Sequence, residues 1–103
     1  MAKLGLMLEG QENLNWARLL NIAEKSEQLG FESLFLSDHL TSVKGNQKLN
    51  SVALWPALTA LAMRTNRIRI GSLVCSMTFR HPAQVAKMSS AVDVLSAGRL
   101  DLG

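Results

Sequence analysis

Four short apolar stretches recur along the chain at intervals of about 30 residues, the size of a βαβ unit. They run over Lys3 to Leu8, Glu32 to Leu36, Arg67 to Cys75 and Arg99 to Gly103, and a helical pattern fills each gap. Strands separated by helices cannot pair through tight hairpins, so they pair in parallel through right-handed crossovers. The first helical pattern repeats Trp16, Leu19, Ile22, Ala23, Ser26 and Leu29 at three-to-four spacing, with Asn13 available as its cap and Gly30 as its stop. A second helix is expected from near Trp55-Pro56 to Arg64. A third opens at His81-Pro82 with proline in its first turn, buries Val85, Met88, Val92 and Leu95, and ends at Ala97-Gly98.

Three βα units and a fourth strand amount to roughly the first half of a (βα)₈ TIM barrel, a fold that usually takes about 250 residues. The alternative, a small doubly wound sheet, lacks the Gly-x-Gly-x-x-Gly phosphate fingerprint after every strand. The expected fold is therefore α/β, a partial (βα)₈ barrel of parallel strands over residues 1–103, with no linker that would divide it. A hydrophobic content of 48% suffices for a core, whereas a charged content of 18% is low and points to apolar surface meant for another subunit or for further chain.

Charge and cysteine content narrow the function. The net charge of +3 is spread over scattered Lys and Arg residues without a stripe, which argues against nucleic acid. A single cysteine, Cys75, excludes an intrachain disulfide, and no Cys/His pairs stand at zinc-ligand spacing. No leader and no apolar run of membrane-spanning length is evident, so the chain reads as cytoplasmic.

Chemistry in parallel α/β folds gathers at the carboxyl ends of the strands. The second strand feeds directly into Ser37-Asp38-His39, an acid and an imidazole at such an end. A carboxylate that fixes the tautomer of an imidazole, or raises its basicity, suits it to proton transfer near neutral pH. Metal ligation would need Glu9, at the end of the first strand, as a further ligand. After the third strand, Gly71 to Met77 carries small side chains that suit either close approach of a flat ligand or tight packing; Cys75 there reads as a small buried hydrophobe. Thr78-Phe79-Arg80-His81-Pro82 adds an aromatic, a cation and a second imidazole, and Arg80 can serve an anionic cofactor tail or a nearby carboxylate equally well. Trp16 and Trp55 fall on helical faces, where core or interface packing is the expectation.

Three segments, FESLFLSDH at 31–39, LWPALTALAMRTNRIRIGSLV at 54–74 and TFRHPAQVAKMSSAVDVLSAGRLDLG at 78–103, resemble in order the amino-terminal part of the bacterial luciferase-like monooxygenase superfamily. The likeness is to its F420-dependent oxidoreductase branch above all. It implies a TIM-barrel enzyme that holds coenzyme F420 or FMN at the strand ends and either transfers hydride or activates oxygen. His39, with Asp38 beside it, then lies near the cofactor and the substrate. A non-proline cis peptide is implied within one residue of Leu73-Val74, making Leu73, Val74 and Cys75 the ring-contacting segment. Full-length relatives continue into a Gly-rich turn and further βα units, so this chain taken alone is expected to be weakly active or inactive. The alternative expectation is a non-catalytic half barrel that binds no cofactor. In either case its open edges and uncovered inner face are expected to be closed by self-association, for instance as two copies sharing an eight-stranded core.

Overall fold

The computed structural model describes residues 2–103. Four strands, β1 (Gly5–Leu8), β2 (Ser33–Leu36), β3 (Arg69–Ser72) and β4 (Leu100–Leu102), alternate with three helices, α1 (Trp16–Gln28), α2 (Leu54–Arg64) and α3 (Pro82–Leu95). All strand pairs are parallel and lie in the order β1-β2-β3-β4. The expected α/β architecture of a partial barrel is what forms.

The register sorts side chains onto two faces. Leu6, Leu34, Ile70 and Leu100 stand abreast, as do Leu8, Leu36, Ser72 and Leu102. Leu34, Leu36 and Ile70 are buried with Leu19 and Ala23 of α1, Leu58 and Leu61 of α2, and Val85 and Val92 of α3 in a single apolar cluster. Fully burying an aliphatic side chain of this kind contributes about 1.5–3 kcal/mol, so the helix-covered face supplies most of the drive to fold. The opposite face carries Met7, Phe35, Gly71 and Asp101 abreast. There Arg69 pairs with Asp101 through two hydrogen bonds of 2.7 and 2.6 Å. A Cβ on Gly71 would lie 2.0 Å from the Asp101 carbonyl oxygen and 2.8 Å from the Phe35 ring, so the inner face is closed over this position.

Local structure departs from sequence expectation in a few places. Helix α1 is capped by Asn15, whose Oδ1 accepts from the Arg18 N–H at 2.8 Å, and not by Asn13. Asn13 takes a left-handed backbone (φ 67°) and is spent on a tertiary bridge: its N–H donates to the Asn50 carbonyl and its Oδ1 accepts from the Asn50 N–H. On α3, Val85 and Val92 are buried as expected but Leu95 is 47% exposed, since it occupies the last turn. Trp16 and Leu29, at the two ends of α1, are exposed in the same way, whereas Trp55 is buried in the core. Gly30 stops α1 as expected, with the Phe31 N–H returning to the Ser26 carbonyl.

Strand β3 is shorter than its apolar run because the backbone leaves the ladder at its end. The Leu73 N–H donates to the Leu36 carbonyl on one side, and the Cys75 N–H donates to the Gly103 carbonyl on the other. Val74 lies between them, and the Leu73-Val74 peptide is cis, at the bond implied by the resemblance. No helix among the described residues is long and apolar enough to cross a membrane.

Candidate functional site at the strand ends

Strand β2 delivers Ser37, Asp38 and His39 to the carboxyl edge of the sheet. The Ser37 N–H donates to the Leu8 carbonyl and its hydroxyl donates to Gln11 Oε1 at 2.6 Å, which ties the end of β2 to the loop after β1. Asp38 is turned inward, its side chain only 3% exposed, and His39 is turned outward to solvent.

The carboxylate of Asp38 is engaged on both oxygens. Oδ1 accepts from Arg80 Nη2 at 2.9 Å, and Oδ2 accepts from Arg80 Nη1 and from the Ser76 N–H at 2.8 Å. Burial pushes the Asp38 carboxyl up, but the Arg80 hydrogen bonds, the Ser76 N–H and the Arg80 charge outweigh it and hold the group below the usual carboxylate range. The Asp38 partner in turn raises the Arg80 guanidinium. Arg80, open in sequence between a cofactor tail and a neighbouring acid, is thus committed to the acid. Asp38 is a fixed anion here, with both oxygens accepting from Arg80 and Ser76 and no hydrogen bond joining it to the imidazole of His39.

Two concavities meet at Asp38 and His39. The larger, about 540 Å³, is lined further by Leu73, Val74, Ser76, Thr78 and Phe79. The smaller, about 100 Å³, lies toward the start of α2 and is lined further by Leu40, Ser51, Ala53, Leu54 and Arg80. Leu73 and Val74 are 51% and 59% exposed although they are aliphatic and immediately follow a strand. Cys75 behaves differently: its side chain is buried, 3.9 Å from Arg80 Nη1, and does not line the larger concavity. Burial and the nearby Asp38 charge push its thiol up, as befits a packed thiol. Of the three expected ring-contacting residues, then, Leu73 and Val74 present side chains to the concavity while Cys75 closes the backbone behind them.

Other candidates are placed apart. Glu9 lines neither concavity, and among the described residues no group of three or more His, Cys, Asp or Glu side chains could hold a metal. His81 is the cap of α3, its Nδ1 accepting from the Ala83 N–H at 3.1 Å. Sequence reasoning missed Glu12, whose carboxylate accepts from the Ser42 hydroxyl at 3.0 Å and the Val43 N–H at 3.1 Å. With the Asn13–Asn50 bridge and the Val52 N–H to Gly10 carbonyl bond, it pins the long loop after β2 at both legs. Only the pairing of an acid with a polar loop 30 residues away could have pointed to it.

The model of the luciferase-like monooxygenase family matches residues 2–103. The F420-dependent glucose-6-phosphate dehydrogenase of Microbacterium testaceum is 40% identical over 88 residues, which is 82% of this chain and 25% of that protein. The coenzyme F420 dependent tetrahydromethanopterin reductase of Methanopyrus kandleri superposes with a TM-score of 0.81 at 24% identity, over 98% of this chain and 26% of that one. The oxygenating constituent of 3,6-diketocamphane monooxygenase of Pseudomonas putida, solved with FMN, superposes with a TM-score of 0.79 at 21% identity, over 98% and 28%. The two structures share the fold, and this chain spans about a quarter of the length of the proteins it matches. On the family match over residues 2–103 and the 40% identity, the chain belongs to the luciferase-like monooxygenase family.

Proposed function

We propose that the chain supplies the strand-end site of an F420-dependent oxidoreductase, with the cofactor ring lying in the larger concavity between His39 and the Leu73-Val74 segment. The observation that carries this reading is the exposure of Leu73 and Val74, side by side with Phe79 and facing a concavity that His39 also lines. Aliphatic side chains held out of a core beside a polar pair fit the flat, largely apolar ring of a deazaflavin or flavin, and about 540 Å³ lies within the usual ligand-pocket range of about 300–1,000 Å³. When bound, such a ring donates or accepts hydride.

The residues of this chain have distinct parts in that reading. Leu73 and Val74 exclude water from one side of the ring. His39, exposed at the mouth, orients the substrate and exchanges a proton with it. Asp38 stays ionised and fixes the end of β2. Residues that would grip an anionic cofactor tail are not part of the proposed site, since Arg80 is already paired. F420 is favoured over FMN because the relative with 40% identity is named for F420. Oxygen activation with reduced FMN is the second reading, favoured by the shared fold of the FMN-bound monooxygenase.

The test is a fluorescence titration with F420 and with FMN. Binding by the wild-type chain, weakened at least tenfold in His39→Ala, supports the reading; wild-type affinity in that variant removes His39 from the site.

Self-association belongs to the same proposal. Strands β1 and β4 are the sheet edges, and Met7 is exposed on the uncovered inner face. In solutions of the 103-residue polypeptide a second copy covers these edges and this face, whether or not cofactor binds. Sedimentation as a dimer or larger species supports this, and a monomer with protected β1 and β4 amides contradicts it.

A further inference from the structure

We infer that Arg80 is a positioning residue: it sets the distance between His39 and the Leu73-Val74 segment by clamping the loop after β3 onto the end of β2. The inference rests on the reading of the concavity given above and adds a part for a residue that reading leaves idle.

Four observations carry it. Arg80 and Asp38 form an ion pair whose side chains are 18% and 3% exposed; the pairs Lys3–Glu32, Arg64–Glu24 and Arg69–Asp101 are all more exposed. The pair is bidentate, so it fixes orientation as well as distance. Asp38 also receives the Ser76 N–H, and Arg80 Nη1 returns to the Ser76 carbonyl at 3.3 Å, so both polar backbone groups of Ser76 are held by the same pair. Ser76 stands two residues beyond Val74, and Asp38 directly precedes His39. The clamp thus grips the chain next to each wall of the concavity, and both terminal nitrogens of the Arg80 guanidinium are spent on Asp38. A lysine can replace the charge but not the planar fork.

The test separates position from stability. Amide spectra and hydrogen exchange of the cofactor-free ¹⁵N-labelled chain are compared for wild type and R80K, together with melting temperature and with F420 and FMN titrations. The inference predicts that R80K melts within a few degrees of wild type, that the Leu73, Val74, Ser76 and His39 resonances move while those of β1 and α1 stay, that Ser76 loses at least tenfold in exchange protection, and that cofactor affinity falls at least tenfold. Wild-type resonances at 73–76 in R80K overturn it, and so does unchanged affinity in the presence of moved resonances. If R80K does not fold, D38N takes its place, because it keeps the shape of the side chain while breaking the fork, and the same outcomes decide. If the wild-type chain binds neither cofactor, the reading of the concavity fails, while the cofactor-free amide data still decide whether Arg80 places the segment.

Discussion

Arg80 and Asp38, 42 residues apart in sequence, meet in parallel guanidinium–carboxylate hydrogen bonds, with Nη2 2.9 Å from Oδ1, and close the gap between the end of β2 and the loop after β3. A buried charge left without its partner is costly, by about 3–5 kcal/mol for pairs of this kind. Removing the cation should therefore cost more than removing both charges. R80M is expected to lose about 3 kcal/mol in urea unfolding, and the double variant R80M/D38N is expected to recover a substantial part of it. Equal losses in the single and double variants would show that the pair is not coupled.

The same pair fixes a pH dependence. Asp38 is held below its unfolded value, close to 3.9 for a free aspartate, so its contribution is fully present above that value and is lost as pH falls through the folded one. Asp101, lowered by Arg69, and Glu27, where burial is outweighed by N–H donors from Ile68, Arg67 and Asn66, act in the same direction. Stability should be flat from neutral pH to about pH 5 and decline below about pH 4. D38N should decline less steeply over that acid range, as measured by urea midpoints at successive pH values.

Gly71 is a packing requirement of the inner face. A methyl there meets the Asp101 carbonyl oxygen, a backbone atom that can move only with its strand, as well as the edge of Phe35. G71A should destabilise by at least about 2 kcal/mol, and F35L should not restore it, because the backbone contact remains. Recovery in G71A/F35L would place the clash with the ring alone.

The cap of α3 is an imidazole, and the cost of its loss is that of an ordinary cap. His81→Ala should lose about 1 kcal/mol, and His81→Ser should stay within a few tenths of wild type, since a serine hydroxyl accepts from the same first-turn N–H groups. Chemical denaturation of the two variants checks this. A His81→Ala protein as stable as wild type would remove the cap from the account.

The stop and start signals of the elements were legible because they are local. Pro82 at the first turn of α3, Gly30 after α1 and the apolar alternation around Ile68 and Ile70 act within a few residues of themselves. What the sequence did not disclose is decided across the fold. Asn13 and Asn15 are equal as caps until Asn50 claims the first. Leu95 fits the helical stripe of Val85 and Val92, yet as the last residue of α3 it is left 47% exposed. At the site, Asp38 and His39 stand out as a strand-end pair, but the inward turn of Asp38 depends on Arg80 and Ser76, which no spacing links to it. The segment from Gly71 to Met77 suited a ligand face and a packed core alike; the backbone divides it, with Leu73 and Val74 outward and Cys75 inward. Glu12 became visible as the anchor of the loop after β2 only through Ser42 and Val43.

The central claim, that a flavin-type ring lies against Leu73 and Val74, is tested most directly by methyl NMR of the chain on addition of F420. Ring currents should shift the Leu73 and Val74 methyl resonances, with Phe79 and His39 moving alongside and the Leu4 and Leu29 methyls, near the amino ends of the strands, unmoved. Binding that shifts Leu4 and Leu29 while Leu73 and Val74 stay in place would contradict the account.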